Sequence, residues 1–401
     1  MPGIISGEGL GLFNNQLAGL DGQGSLGQAG TNIAVNAATG NLILRQSDQV
    51  LVGLGIDSAV VRTYNSQGHL NDDNGDNFRF SFNQRLAVLT GSANSAGSTI
   101  TRIAGDGSET VFSYQSSSPN AGAYFSSDGD GAHDTLIYNG STQQWTYTEG
   151  SSQRQEQYDW IAGAGKLTAQ SDADGNTKTY AYHANGFINQ INDASDQIID
   201  IIYAGNNATE VRTTSEGITQ TLVTYQYDTS NRLIQAIIDL QPSDSTTYAT
   251  SYTYDGVSNR VASVTQSDGT AIAFSYDASN RIETVTDGNG NVTTYSYTSN
   301  SMTATDALGN QTTYHFDLEG QVTQIQRPGP GAVPVSSFYQ YDSQGNLQSS
   351  TDGKGNTVSY EYDLHTSTTF RETVSWNGTR SATRSRVLTR RLMNCCRRHA
   401  T

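Results

Sequence analysis

Lysine is nearly missing from this chain, with three in 401 residues, and charge of either sign is scarce at 15% of positions. The usual share is about a quarter. Only two cysteines occur, and they are neighbours, Cys395 and Cys396. Adjacent cysteines bridge each other poorly and no third partner exists, which excludes a disulfide framework and a thiolate metal site. Stability has to come from sheet packing. No apolar run reaches the ~18 residues of a membrane-crossing helix. The opening Met1 to Glu8 carries neither a basic stretch nor a compact apolar core. No ordinary secretory signal is visible, which leaves signal-independent export, a truncated sequence and an intracellular location open.

Other residues are abundant. The chain holds 41 Gly, 22 Tyr, and 28 Asp against 10 Glu. Gly, Asn, Asp, Ser and Thr sit where turns want them, and Tyr, Thr and Val where strands want them. A mostly helical protein is ruled out, and the length allows two to three domains. The charge is unevenly spread. Residues 1–370 carry 14 Lys+Arg against 37 Asp+Glu, a net of −23, whereas 371–401 carry eight Arg and one Glu, a net of +7. An acidic body of this size argues against a nucleic-acid-binding surface.

Residues 1–31 form a Gly-rich leader with little hydrophobic periodicity, expected to pack loosely. From Asn32 the pattern turns strand-like, with short strands around Thr39-Gly40-Asn41 and a period-two run at Phe78-Arg-Phe-Ser-Phe82. Further strands are expected at 86–90, 100–104, 109–114, 134–138 and 144–148. Residues 32–150 therefore read as an N-terminal antiparallel β domain.

The remainder of the body, 151–363, repeats. Anchors recur at Tyr158, Tyr182, Tyr203, Tyr227, Tyr254, Tyr276, Tyr297, Phe316, Tyr341 and Tyr362, at intervals of 19 to 27 residues. Asp159, Asp228, Asp255, Asp277, Asp342 and Asp363 follow six of the tyrosines, and Asp317 follows Phe316. A second aromatic stands two residues before most anchors, as Tyr225, Tyr252, Phe274, Tyr295 and Tyr360 do. Residues i and i+2 of a strand share a face.

Turns separate the aromatic strands. One kind follows the anchor, as in Asp228-Thr-Ser-Asn-Arg232, Asp277-Ala-Ser-Asn-Arg281 and Asp342-Ser-Gln-Gly345-Asn346. The other comes about ten residues later: Asp172-Ala-Asp-Gly175-Asn176, Asp287-Gly-Asn-Gly290-Asn291, Asp306-Ala-Leu-Gly309-Asn310 and Asp352-Gly-Lys-Gly355-Asn356. The carboxylate can accept amide hydrogen bonds across the turn, while Gly or Asn tolerates positive φ. Each unit is then a hairpin, and about ten stacked hairpins make one continuous, twisted sheet that can curl around a wide interior. The fold class is all-β: antiparallel hairpin repeats winding into an open, partial shell, preceded by a small antiparallel β domain.

Residues 364–401 form an atypical Arg-rich tail without Tyr or Gly-Asn turns. An abrupt loss of register of this kind is what an out-of-frame reading produces, and a genuine basic tail is the alternative.

The aromatic-Asp-x-x-Gly/Asn-Arg unit, at this period and in this number, resembles the YD repeats of the Rhs proteins. Their relatives include wall-associated proteins, the shells of insecticidal toxin complexes and the teneurin extracellular region. The stretch Val35-Asn-Ala-Ala-Thr-Gly-Asn-Leu-Ile-Leu44, with Asp48, Leu54-Gly-Ile-Asp57 and Val61-Arg-Thr-Tyr-Asn-Ser-Gln-Gly68, is similar to the segment preceding the repeats in bacterial members. The resemblance covers 32–363. It implies repeats wound into a hollow β-shell, which in some members encloses a C-terminal toxin released by self-cleavage. About ten hairpins are too few to close a container, and no Asp-Pro-x-Gly cleavage motif is present, so no residue takes over that chemistry.

Candidate ligand sites are few. Asp128-Gly-Asp130-Gly-Ala-His-Asp134 offers oxygens at alternate positions, as a calcium loop begins. It lacks a distal Glu, and a solvated acidic turn explains it equally. Residues 71–77, Asn-Asp-Asp-Asn-Gly-Asp-Asn, invite the same two readings. The six histidines show no ligand spacing, and no nucleophile elbow, phosphate loop or dinucleotide fingerprint occurs. The chain reads as non-enzymatic, with neither catalytic nor cofactor-binding residues. Three functions follow: a cell-surface or secreted scaffold contacting cell-wall glycans or surface proteins through tyrosine-rich faces; part of a toxin-delivery shell whose C-terminal shell or toxin segment is missing; or a nonfunctional gene remnant. An extracellular or cell-surface location fits the first two.

Overall fold

The computed structural model describes residues 2–12, 24–70, 73–116, 122–126, 134–215, 217–240, 244, 246–343, 345–362, 370–375 and 381–386; side chains are not described at 215, at 332 or beyond 360. Among the described residues the structure is β throughout, with two single 3-10 turns, Ser81–Asn83 and Pro330–Ala332. No helix among them is long and apolar enough to cross a membrane.

The turn motif explains the hairpins. In the turn 228–232, Asp228 Oδ1 accepts the amides of Ser230 at 2.8 Å and Arg232 at 3.0 Å, and Oδ2 accepts Arg232 Nε at 2.8 Å. The fourth residue, Asn231, takes the left-handed conformation with φ 60°. The turn 287–291 keeps this plan with Gly290 at φ 83° and Asn291 Nδ2 on Asp287 Oδ2 at 2.9 Å. Fifth-position Arg and fifth-position Asn therefore do one job, closing the ring on the aspartate. A left-handed residue ending such a loop places a bulge at the start of the next strand. Accordingly Tyr227 pairs with Leu233 while its neighbour Gln226 pairs with Gln235. The same slip precedes Tyr158, Tyr182, Tyr203, Tyr254, Tyr276, Phe316 and Tyr341. Tyr297, followed by Thr298 instead of Asp, pairs with Met302 without a slip.

Neighbouring hairpins pair antiparallel in chain order from Arg85–Thr90 to the strand Ser381–Arg386, giving one long curled sheet. Past Tyr362 the backbone continues it as the hairpin Phe370–Ser375 and Ser381–Arg386; the remainder of the Arg-rich tail lies outside the described residues. The strand Ala164–Ser171 is where the sheet overlaps itself. One edge pairs with Gln155–Ile161. The other is shared end to end: Gly165 and Lys166 pair with Leu86 and Arg85, and Ala169 to Ser171 with Thr177 to Thr179. Among the described residues this closes a ring of eight strands, from Arg85–Thr90 to Ala164–Ser171, and the repeats spiral on from it.

The N-terminal region divides differently from the sequence reading. Gly3–Ile5 and Gly24–Leu26, within the Gly-rich leader, pair with Thr31–Asn36, so the leader contributes to a sheet. That sheet adds Leu42–Leu51, Ser58–Asn65 and Phe78–Phe80. The turn Ser81–Asn83 then hands the chain to the long sheet, so 32–150 holds one small sheet and most of the eight-stranded ring. The small sheet packs on the inward, tyrosine-lined face of the repeats. One apolar core runs through both, from Ile4 and Leu44 to Tyr252, Val285 and Ile325, with a smaller cluster of Ile5, Ala34 and Ile43 in the small sheet.

Candidate functional site

Among the described residues many chemistry-bearing side chains converge on the inward face of the repeats. Its anchors donate their hydroxyls to backbone carbonyls of the neighbouring hairpin. Tyr182 donates to Leu167 O at 2.7 Å, Tyr227 to Ala208 O at 2.9 Å and Tyr254 to Leu233 O at 2.6 Å. Tyr276 donates to Val261 O at 2.8 Å, Tyr297 to Ile282 O at 2.9 Å and Tyr341 to Val322 O at 2.9 Å. Each accepting carbonyl belongs to the residue paired with the preceding anchor, beside that anchor's bulge. The turn arginines stack on the same rings: Arg232 lies 4.6 Å from the Tyr254 centroid and Arg281 4.4 Å from that of Tyr297. Tyrosine is thus the cement between units, where phenylalanine would leave the carbonyl unbonded. Tyr158, in the eight-stranded ring, differs and donates to Glu156 Oε2 at 2.6 Å. The Tyr362 side chain lies outside the described residues.

The small sheet engages the repeats at matching positions. The amide of Leu233 donates to Asp76 Oδ2 at 3.1 Å, that of Val261 to the Tyr64 hydroxyl at 2.8 Å, and that of Ile282 to Gly40 O at 3.0 Å. These three residues each follow a turn arginine. Further along, Gly7 donates to Gly320 O at 2.8 Å. At the opposite ends of the hairpins, Leu54 N reaches Ser195 Oγ at 2.8 Å and Gln28 N reaches Asp268 Oδ2 at 2.9 Å. The small domain therefore spans the inner face and touches successive units in turn.

A buried ion pair sits at the middle of this contact. Arg62 donates Nε to Asp48 Oδ2 at 2.9 Å and Nη2 to Oδ1 at 2.8 Å, with both side chains about 1% exposed or less. Tyr225 donates to Asp48 Oδ2 at 2.7 Å, and Arg62 Nη1 donates to the Tyr252 hydroxyl at 2.5 Å. The guanidinium lies 5.3 to 5.8 Å from the ring centroids of Phe78, Tyr225 and Tyr252. Burial favours losing its proton, but Asp48 outweighs this and holds the Arg62 pKa above its ordinary value. Tyr225 and Tyr252 are the second aromatics of the i, i+2 pairs. Their inward placement is legible in sequence, but the pairing of Arg62 with Asp48 across the small sheet is not.

A second network fills the ring. Glu156 accepts Arg102 Nη2 at 2.9 Å, the Tyr158 hydroxyl, and Gln170 Nε2 at 3.0 Å. Burial would raise this carboxyl, yet Arg102 above all brings it down to about 2. Networks so fully hydrogen-bonded fix geometry; they leave no group poised for proton transfer.

The candidate calcium residues part company. Asp128 and Asp130 lie outside the described residues. Asp134 accepts the Tyr147 hydroxyl at 2.7 Å and the Gly150 amide at 2.9 Å, a brace between strands. Among the described residues no three His, Cys, Asp or Glu side chains are grouped to hold a metal. The turn aspartates close their own loops: hydrogen bonds from the Asn176 side chain, then from backbone amides, hold Asp172 below its ordinary pKa.

The architecture is that of a repeat-built β-shell protein. Three family descriptions match: a domain of unknown function (DUF6531) over residues 33–112, the teneurin YD-shell over 206–337, and the RHS repeat over 163–198 and 341–366. The chain belongs to the YD-repeat (RHS) family, to which the teneurin YD-shell description also belongs. Among curated proteins none matches it. Similar solved structures include TcdB2-TccC3, at 12% identity and TM-score 0.36 over 85% of this chain and 24% of that one. The Photorhabdus luminescens Tc holotoxin pore gives 14% and 0.37 over 86% and 20%. A porin-like protein from Bacteroides uniformis gives 13% and 0.19 over 77% and 96%. The chain spans about a quarter of the length of the TcdB2-TccC3 chains.

Proposed function

We propose that this chain is the end-sealing part of a delivery shell, in which coiled YD repeats surround a cargo carried by a C-terminal shell or toxin segment. The observation that carries this reading is the seating of the small domain on the inner face, unit by unit, around the buried Arg62–Asp48 pair. A hollow coil must be stopped at its end, and a domain bonded to successive strand starts stops it without breaking the coil. The alternative, a surface scaffold stacking glycans on its tyrosines, needs accessible rings. The anchors instead face inward, with hydroxyls engaged by backbone carbonyls. Membership of the family fits an extracellular or cell-surface location.

Electron cryomicroscopy of the purified chain, with a glycan array and isolated cell walls as binding targets, tests the reading. A curled sheet with the small sheet seated inside it, and no saturable glycan binding, is expected. Saturable binding to a sugar or cell wall, or a small domain detached from an open strip, would overturn it.

A further inference from the structure

Five Asn-Gly pairs occur in the chain, beginning at Asn74, Asn139, Asn185, Asn289 and Asn377, and the last lies outside the described residues. Such a pair invites one reaction, in which the glycine amide nitrogen, shielded by no side chain, attacks the Asn side-chain carbonyl carbon. Three of the described pairs are held back. Gly75 N donates to Asp73 Oδ1 at 3.1 Å, Gly186 N to His183 O at 2.9 Å and Gly290 N to Asp287 O at 2.9 Å, so each nucleophile is already committed. Asn74 is pinned further, its Nδ2 donating to Asn207 Oδ1 and Asn231 O at 3.1 Å each. Asn139-Gly140 differs. It opens the turn between the strands Thr135–Asn139 and Gln144–Thr148. Among the described residues the Gly140 amide has no hydrogen-bond partner. Asn139 Oδ1 accepts the amides of Ser141 at 3.0 Å and Thr142 at 3.4 Å, which folds the side chain over the Gly140 peptide. Asn139 and Gly140 are both exposed.

We propose that Asn139-Gly140 is a site of self-modification, at which Asn139 converts spontaneously to a mixture of aspartate and isoaspartate. Gly140 N loses its proton to hydroxide and bonds to Asn139 Cγ. The Cγ–Nδ2 bond then breaks, and the nitrogen takes up a proton and leaves as ammonia, closing a five-membered imide. Water opens this ring at either carbonyl. The net change consumes one water and releases one ammonia, with no oxidant or reductant. The turn assists the first step. Negative charge grows on Oδ1 as the new bond forms, and the Ser141 and Thr142 amides already point at that oxygen. Ring closure needs the turn to flex, which an exposed loop tip does at small cost. The fold does not itself demand glycine here. A Cβ at 140 would meet nothing nearer than Tyr138 Cε1 at 4.0 Å, and its φ lies outside the left-handed region. The missing side chain serves instead to leave the nucleophile bare. The isoaspartyl product adds a methylene to the main chain and a negative charge where Asn139 pairs with Gln144. The change therefore falls at the tip of one hairpin of the eight-stranded ring.

Prolonged incubation of the full chain in mildly alkaline buffer, followed by peptide mass mapping that separates aspartyl from isoaspartyl products, tests the proposal. In the folded chain Asn139 should lose its amide several-fold faster than Asn74, Asn185 or Asn289. In concentrated urea, where the turns are dissolved, the four rates should converge. Gly140→Ala should slow the reaction at Asn139 several-fold and leave the thermal melt unchanged, since the added methyl has room but crowds the nucleophile. Equal rates at the four sites in the folded chain, an intact Asn139 where the others react, or an unchanged rate in Gly140→Ala would each overturn the proposal. The same rate order persisting in urea would overturn it too, by placing the preference in local sequence and not in the turn. Should Gly140→Ala alter the melt, the comparison of folded with urea-treated parent chain decides the matter alone.

Discussion

The Tyr64 hydroxyl, fully buried in the small domain, accepts the amide of Val261 at 2.8 Å, 197 residues away. The same hydroxyl donates to Asn259 O at 3.1 Å, and the Val261 carbonyl accepts Tyr276. Val261 thus ties the small domain to one hairpin and that hairpin to the next.

Tyr64→Phe should expose the strength of that tie. The ring can stay, but the Val261 amide loses its Tyr64 acceptor in a dry site, a cost of about 1–3 kcal/mol. Repeat sheets open locally, so the effect belongs at the junction. Amide exchange at Val261 and Ile282 should accelerate about tenfold or more, with distant strands such as Val322–Arg327 little changed. Unaltered exchange at Val261 would show that the contact is not holding the small domain.

The hydroxyl ladder predicts a graded series. Tyr254→Phe, Tyr276→Phe and Tyr297→Phe each remove one inter-hairpin hydrogen bond and should cost about 0.5–1.5 kcal/mol apiece. Among the described residues the Tyr203 hydroxyl has no hydrogen-bond partner, so Tyr203→Phe should cost distinctly less. Truncation to alanine at Tyr276 or Tyr297 also empties core volume and should cost about 3–5 kcal/mol. Urea denaturation of these variants checks the order; an equal loss for Tyr203→Phe and Tyr276→Phe would contradict it.

What was readable from sequence follows from distance along the chain. The turn aspartates act on residues two and four positions away, so their role shows in spacing alone, as at Asp277 with Ser279 and Arg281. The anchors repeat, so their common face shows in periodicity. The seat of the small domain repeats nothing: a carboxylate, a phenol and a backbone carbonyl, from Asp76, Tyr64 and Gly40, meet equivalent amides of three hairpins. Asp76 lies in a segment whose acids suggested only a calcium loop or a solvated turn. Its burial against the repeats depends on the coil, which no local pattern encodes.

The buried pair offers a sharper test of how the small domain is held. Arg62→Met leaves the Asp48 charge in a dry site with Tyr225 as its remaining donor, and should cost about 3–5 kcal/mol. Adding Asp48→Leu removes the stranded charge and should recover most of that loss. If the double variant is no more stable than Arg62→Met in thermal melts, the penalty comes from lost packing of the guanidinium against Phe78 and Tyr252, not from the uncompensated charge.

Asp76 and Glu156 should give the stability profile two limbs of opposite sign. Burial, then Asp73, raises Asp76 from 3.8 to about 7 against the pull of the Phe78 and Leu233 amides and Asn74. The folded protein therefore holds this proton more tightly than the unfolded chain. Its contribution is complete below about pH 4 and is lost as pH rises through about 7. Glu156 moves from 4.5 to about 2, because Arg102 and then Arg154 outweigh its burial. Its contribution is complete above about pH 4.5 and is lost as pH falls through about 2. Asp76→Asn should accordingly flatten the decline in denaturation midpoint between about pH 4 and pH 8. Glu156→Gln, which strands Arg102, should lower the midpoint at neutral pH and remove the acid limb. Midpoints measured across this range decide both, and a decline as steep in Asp76→Asn as in the parent would place the titrating group elsewhere.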